Sequence, residues 1–231
     1  SGTFQNTVDF DMSSAGHAEM TAMSKYDIFV AKYSDEGEYR WAIAMGGDPF
    51  QANEVRHVDT DQDGNIYITG FTGSWVDFDP SDGEAIFNTD QEKVIYVAKY
   101  DADGGYVWAF TIGNANVSLN EVGWGIAVDD ANDCLYIGGS FTDTLDFDPS
   151  GEEYKLMAYS GNDLYMAKYS LNGEFVWANA FGYPEGHNYG TIQGLDLDDQ
   201  GNVYMAGYYA GTLDMDGSEA ELLITAGGST S

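Results

Sequence analysis

The sequence predicts an all-β fold assembled from a repeated four-stranded unit, and three observations predict it. A hydrophobic-Asp-aromatic-Asp string recurs as Val8-Asp9-Phe10-Asp11, Val76-Asp77-Phe78-Asp79 and Leu145-Asp146-Phe147-Asp148, then as Leu213-Asp214-Met215-Asp216 with Met in the aromatic place. Successive copies lie 68, 69 and 68 residues apart, a period too long for a coiled coil or a collagen-like repeat. Each full period also holds two β-hairpin patterns, and no stretch has helical periodicity. Four short strands per unit without helices is the pattern of a β-propeller blade. A solenoid coil repeats sooner, and an immunoglobulin-type sandwich needs about seven strands before it repeats.

Taken in order, residues 1–47 read as half a blade. After the first Asp-Phe-Asp copy and a polar stretch comes the strand Asp27 to Tyr33, the turn Ser34-Asp35-Glu36-Gly37 and the returning strand Tyr39 to Ala44. The same hairpin recurs as Ile95 to Tyr100 with Tyr106 to Phe110, and as Leu164 to Tyr169 with Phe175 to Asn179. Trp41, Trp108 and Trp177 share one position in it, and a large ring repeated in register reads as a core anchor.

A second hairpin alternates with the first. Its copies are Val55 to Asp61 with Asn65 to Phe71, Gly125 to Asp129 with Leu135 to Gly139, and Gly194 to Asp198 with Asn202 to Gly207. The middle copy turns through Asp130-Ala131-Asn132-Asp133, one residue longer and without the Gly of the others. Complete blades are therefore expected over 54–113 and 122–182, with a half blade of first and second strands over 192–231 and the Asp-Phe-Asp string in the connection between second and third strands. That sums to about three blades, fewer than the 4 to 8 or so of a propeller. The expectation is a portion of a longer chain or, failing that, a head-to-tail association in which other copies supply the remaining blades.

Composition bounds the partners. Eight Lys and Arg stand against 39 Asp and Glu, a formal net charge of −31, so nucleic acid and anionic membrane surfaces are excluded as natural partners. With 43% hydrophobic and 15% aromatic residues the chain can still bury a core, and its acidity belongs to the surface. No apolar run is long enough for a membrane-spanning helix, and the single Cys134 permits no disulfide within the chain.

The strings Asp27-Ile28-Phe29-Val30-Ala31-Lys32-Tyr33 with Glu38-Tyr39-Arg40-Trp41-Ala42, and Gly64-Asn65-Ile66-Tyr67 running on to Val76-Asp77-Phe78-Asp79-Pro80, resemble the bacterial SBBP β-propeller repeats, relatives of NHL-type propellers. The resemblance covers essentially the whole chain. It implies an extracellular or cell-surface setting in a large secreted bacterial protein, a structural or adhesive role and no catalytic motif.

The candidate sites follow from the repeats. Period-two alternation places Asp77 and Asp79 on one face and Val76 and Phe78 on the other, with Pro80 and Pro149 stiffening the exit from the string. The pairs Asp9 and Asp11, Asp77 and Asp79, Asp146 and Asp148, and Asp214 and Asp216 are therefore candidate Ca²⁺ ligands, a solvated acidic face being the alternative. Asp59, Asp61 and Asp63 alternate before Gly64 like the first half of a calcium loop, but Gly70 stands where such a loop needs Glu; the alternative is an ordinary turn. Lys32, Lys99 and Lys168 share one strand position and are expected to form interblade ion pairs with repeated Asp residues. His17, His57 and His187 share no position, so neither zinc nor a Ser/His/Asp constellation is expected.

Recognition is expected on the connections from fourth strand to next first strand, which carry Phe50, Asn53, Asn120, Tyr183, His187 and Tyr189. The function expected is a calcium-stabilised, non-enzymatic module binding a glycan or surface protein through loops on one face. The alternative is a propeller-type polysaccharide hydrolase or lyase using carboxylates such as Asp77 and Asp79. Copying of those acids in every unit argues against it, because a catalytic centre is unique.

Overall fold

The computed structural model describes residues 1–14, 16–89, 93–113, 122–159, 161–183, 189–217 and 221–227. Those residues form antiparallel sheets, with no α-helix among them. The chain divides into two compact units, Ser1–Thr111 and Ile112–Ser231.

The first unit runs through β1 (Gly2–Phe4), β2 (Thr7–Asp9), β3 (Glu19–Thr21), β4 (Asp27–Tyr33), β5 (Tyr39–Gly47), β6 (Asn53–Thr60), β7 (Ile66–Thr72), β8 (Val76–Asp77), β9 (Ile86–Phe87), β10 (Val94–Tyr100) and β11 (Tyr106–Ile112). Strands β11-β10-β7-β6 form a complete four-stranded blade. Strands β4 and β5 are the outer half of another, and β1 pairs along the first three residues of β4. Beyond its own blade β5 pairs Gly46 with Asp77 and Gly47 with Val76, joining one blade to the small ribbon of the next. Only glycine permits that approach, because a Cβ at Gly47 would strike the Trp75 carbonyl.

The second unit runs through β12 (Val122–Asp129), β13 (Cys134–Phe141), β14 (Thr144–Asp146), β15 (Lys155–Met157), β16 (Asp163–Ser170), β17 (Phe175–Phe181), β18 (Tyr189–Leu197), β19 (Val203–Ala210), β20 (Thr212–Asp214) and β21 (Leu223–Thr225). Strands β12-β13-β16-β17 form a blade, and β18 with β19 forms a hairpin equivalent to the first half of one. The turn without glycine between β12 and β13 is a short 3-10 turn over Asp130–Asn132. Asp133 closes it at φ 51°, supplying the left-handed conformation that Gly64 supplies at φ 81°.

The connections from second to third strand hold more structure than the sequence pattern suggests. Each contains a two-stranded ribbon: β2-β3, β8-β9, β14-β15 or β20-β21. Each unit has its own core. Ile28, Met45, Ile68, Val76, Phe78, Tyr96 and Tyr100 cluster in the first, with a smaller group of Phe4, Phe10 and Ala42 beside Phe29. Ala127, Tyr136, Leu164, Phe181, Ile192, Leu195 and Leu213 cluster in the second. Trp41 and Trp177 pack half-buried at the margins of these cores, so the repeated ring borders the interior rather than filling it.

Candidate functional site

The three Asp-Phe-Asp strings and Asp214-Met215-Asp216 occupy one structural position, the first arm of a ribbon and the bend that follows it. In the β8-β9 ribbon, Asp77 Oδ1 accepts hydrogen bonds from the amides of Asp79 at 3.0 Å and Ala85 at 2.8 Å, and Asp79 Oδ1 accepts one from Ser81 at 2.9 Å. The pattern repeats: Asp9 accepts from Asp11 and Ala18, Asp146 from Asp148 and Tyr154, and Asp214 from Asp216 and Leu222. Asp11 and Asp148 receive the amides of Ser13 and Ser150 as Asp79 receives that of Ser81. These are successive Asx turns, in which a carboxylate takes up backbone donors that a bend leaves unpaired. The residue between the acids turns inward, and Phe78 and Phe147 are wholly buried.

A tyrosine ending the third strand ties the same string to its blade. Tyr33, Tyr100 and Tyr169 donate to the carbonyls of Phe10, Phe78 and Phe147 at 2.9, 2.9 and 2.7 Å. Burial pushes the Tyr100 and Tyr169 phenols well above the usual tyrosine range.

Lys32 and Lys168 behave otherwise than the expected ion pairs, while the charge of Lys99 acts on Asp61. Lys99 lies across the sheet from Tyr67 with its ammonium 4.9 Å from the ring centre, and Lys168 faces Tyr136 at 5.1 Å. Lys168 also neighbours Trp177 in the opposite direction, giving a Tyr-Lys-Trp row across β13, β16 and β17. Lys32 reaches the neighbouring blade but donates to the Ala102 carbonyl at 3.0 Å, with its ammonium 6.0 Å from the Trp41 ring. For Lys32 and Lys168 the partners are thus rings and a carbonyl where Asp was expected. Cross-strand register explains this, since the position facing each lysine is aromatic.

The three alternating acids before Gly64 do not converge. Asp61 accepts from the amide and side chain of Asn65, both at 2.8 Å, and from the Tyr67 hydroxyl at 3.0 Å, while Asp63 is exposed and Asp59 bonds the Thr60 amide. Burial pushes the Asp61 carboxyl up, but the bonds from Asn65 and Tyr67 and the charge of Lys99 outweigh it and hold it below the usual carboxylate range. Asp198 is held low in the same way, first by the side chain and amide of Asn202. The Tyr204 hydroxyl completes that set at 3.1 Å.

Among the described residues, one group brings three potential metal ligands together: Asp9, His17 and Glu19 on the β2-β3 ribbon, all exposed. Asp9 Oδ2 lies 3.3 Å from His17 Nδ1. The bonds from Ala18 and Asp11 are the main cause holding Asp9 below the usual range, with His17 adding to them. Two carboxylates and an imidazole are not a calcium set, which needs about six to eight oxygens. In the other ribbons Oδ1 of the first acid is spent on two amides, and no third side-chain ligand joins the pair among the described residues.

The loop candidates separate. Phe50 is 84% exposed on the connection between β5 and β6, which is pinned by the Asp48 amide to the Trp75 carbonyl and by Ser74 Oγ to Asp48. Tyr189 is 58% exposed at the start of β18. Asn53 is 1% exposed, accepts from Thr72 Oγ1 at 2.6 Å and donates to Ser24 Oγ, so it serves the interior rather than a ligand. Tyr183 is half-buried, and Asn120 and His187 lie outside the described residues. Asp27 and Asp163, buried acids opening third strands, carry no signal in the sequence pattern. Asp27 accepts the amides of Met23 and Ser24, Asp163 accepts that of Tyr159, and Gly46 and Gly182 leave room for the two carboxylates. In the sequence pattern Asp27 opens its strand and Asp163 stands just before Leu164, and nothing in the periodicity marks either as buried.

The chain is 26% identical over 175 residues to an uncharacterized WD repeat-containing protein, L264, of Acanthamoeba polyphaga mimivirus. WD repeats build β-propellers from four-stranded blades, the sheet type found in both units. The chain is built of β-propeller blades. The matched region is 65% of this chain and 12% of the length of the relative. No family model matches the chain, so what the comparisons support is the propeller and not the narrower SBBP family.

Proposed function

We propose that this β-propeller segment is a non-enzymatic recognition module, which binds a glycan or surface protein through the connections from fourth strand to next first strand. One observation carries the reading: Phe50 and Tyr189, on equivalent connections, expose large aromatic rings at 84% and 58%. The repeated acids support it by being otherwise engaged, since both carboxylates of a ribbon are tied to amides where a hydrolase would keep one as a free acid or base. In this reading those acids are struts, and the loops need no calcium to stand.

The extracellular or cell-surface setting belongs to the same proposal. It rests on the SBBP resemblance and on the charge of −31, which suits a saline medium that screens self-repulsion. Arrays of neutral glycans and bacterial surface proteins test the reading. Saturable binding weakened by Phe50→Ala, with an unchanged melting temperature, is the expected result. Turnover of a polysaccharide lost in Asp77→Asn contradicts it.

A further inference from the structure

We propose that the Ile112–Ser231 unit carries a binding site for a neutral sugar ring in the cleft between the starts of β12 and β18. This rests on the recognition-module reading and gives its ligand a chemical class. The cleft encloses about 300 Å³, at the lower end of the range for small-molecule sites. Trp124, Tyr189 and Tyr208 line it together with Ser140, Asn162 and Thr191.

The two tyrosines stand 6.1 Å apart between ring centres with their planes at 41°, and a bond between their hydroxyls raises the Tyr208 phenol. They and Trp124 supply flat apolar faces of the kind that pack against the C–H face of a pyranose. Ser140, 3% exposed, and Asn162 border the cleft, and their hydroxyl and carboxamide add hydrogen-bonding groups of both senses to its lining.

Charge selects the class. Among the described residues no Lys, Arg, Asp or Glu lines the cleft, and the net charge of −31 repels anions from the whole chain. A neutral ligand with an apolar face and several hydroxyls matches each feature of the lining.

The experiment titrates the 231-residue chain with neutral oligomers of glucose, galactose, mannose and N-acetylglucosamine. Tryptophan fluorescence and saturation-transfer NMR follow binding. Saturable binding by at least one series is expected, weakened about ten-fold or more by Asn162→Ala and by Tyr189→Ala, as loss of one hydrogen bond or one stacking face implies. Tyr208→Phe, which keeps the ring, should bind within a few-fold of the wild type. Absence of binding by every neutral series, binding that both variants leave unchanged, or a response to peptides alone overturns the proposal. The Phe50→Ala result on the arrays judges the wider reading separately, because Phe50 lies outside this unit.

Discussion

Tyr100 and Tyr169 show how a single atom holds a repeat together. Each hydroxyl is buried and donates to the carbonyl of a Phe 22 residues earlier, so its removal strands an acceptor in the interior. Tyr100→Phe should lower unfolding free energy by about 1–3 kcal/mol in urea denaturation. Tyr33→Phe should cost less, because Tyr33 is 38% exposed and water can replace it. The sequence showed the Ala-Lys-Tyr run as the end of a strand, but a hydroxyl partner across a ribbon leaves no trace in hydrophobic periodicity.

The same side chains set the pH limits. A phenol raised by burial contributes stability that is present below the unfolded tyrosine pKa of about 10 and is lost as pH rises through the folded value. Phenolate absorbance of the buried tyrosines should therefore appear together with unfolding above about pH 10 rather than before it. The depressed carboxyls of Asp61, Asp198 and Asp9 act oppositely. Their contribution is present above the unfolded Asp pKa of about 3.9 and is lost as pH falls through the lower folded values. The urea midpoint should accordingly fall below about pH 4, and less steeply in Asp61→Asn.

At the scale of elements, the Asp ribbons and the lysine rows turn apparent chemistry into architecture. An amide oxygen accepts as a carboxylate oxygen does, so Asp77→Asn should keep the bonds from Asp79 and Ala85 and melt close to the wild type. Asp77→Ala should lose about 1–2 kcal/mol, a shift of roughly 2–8 °C in a chain of this size. For the rows, Lys168→Ala should cost about 0.5–1 kcal/mol with little dependence on salt, whereas an ion pair would weaken as salt rises. The main strands were legible because seven to nine residues of alternating pattern repeat three times. The ribbons were not, since arms of two or three residues carry too little pattern to distinguish a strand from a loop. Asp77 and Asp79 were placed on one face of a strand, yet the strand ends at Asp77 and the chain bends immediately afterwards.

For the molecule as a whole, repetition made the fold legible and concealed the function. Three readings of one pattern average out local ambiguity, so all-β blades followed from the sequence, and the two four-stranded sheets have the strand order that a blade requires. Recognition residues are singular by nature. No period marks Trp124, Ser140 and Asn162, whereas the conspicuous acids recur in every unit and accept backbone amides in its ribbon. We propose that these acids hold backbone rather than metal, and thermal unfolding in calcium and in chelator at matched ionic strength tests it. The same melting temperature is expected in both, for the wild type and for Asp77→Asn. A rise in calcium that magnesium does not reproduce and that Asp77→Asn abolishes would contradict it, because a ligand bound only to the native state must stabilise that state.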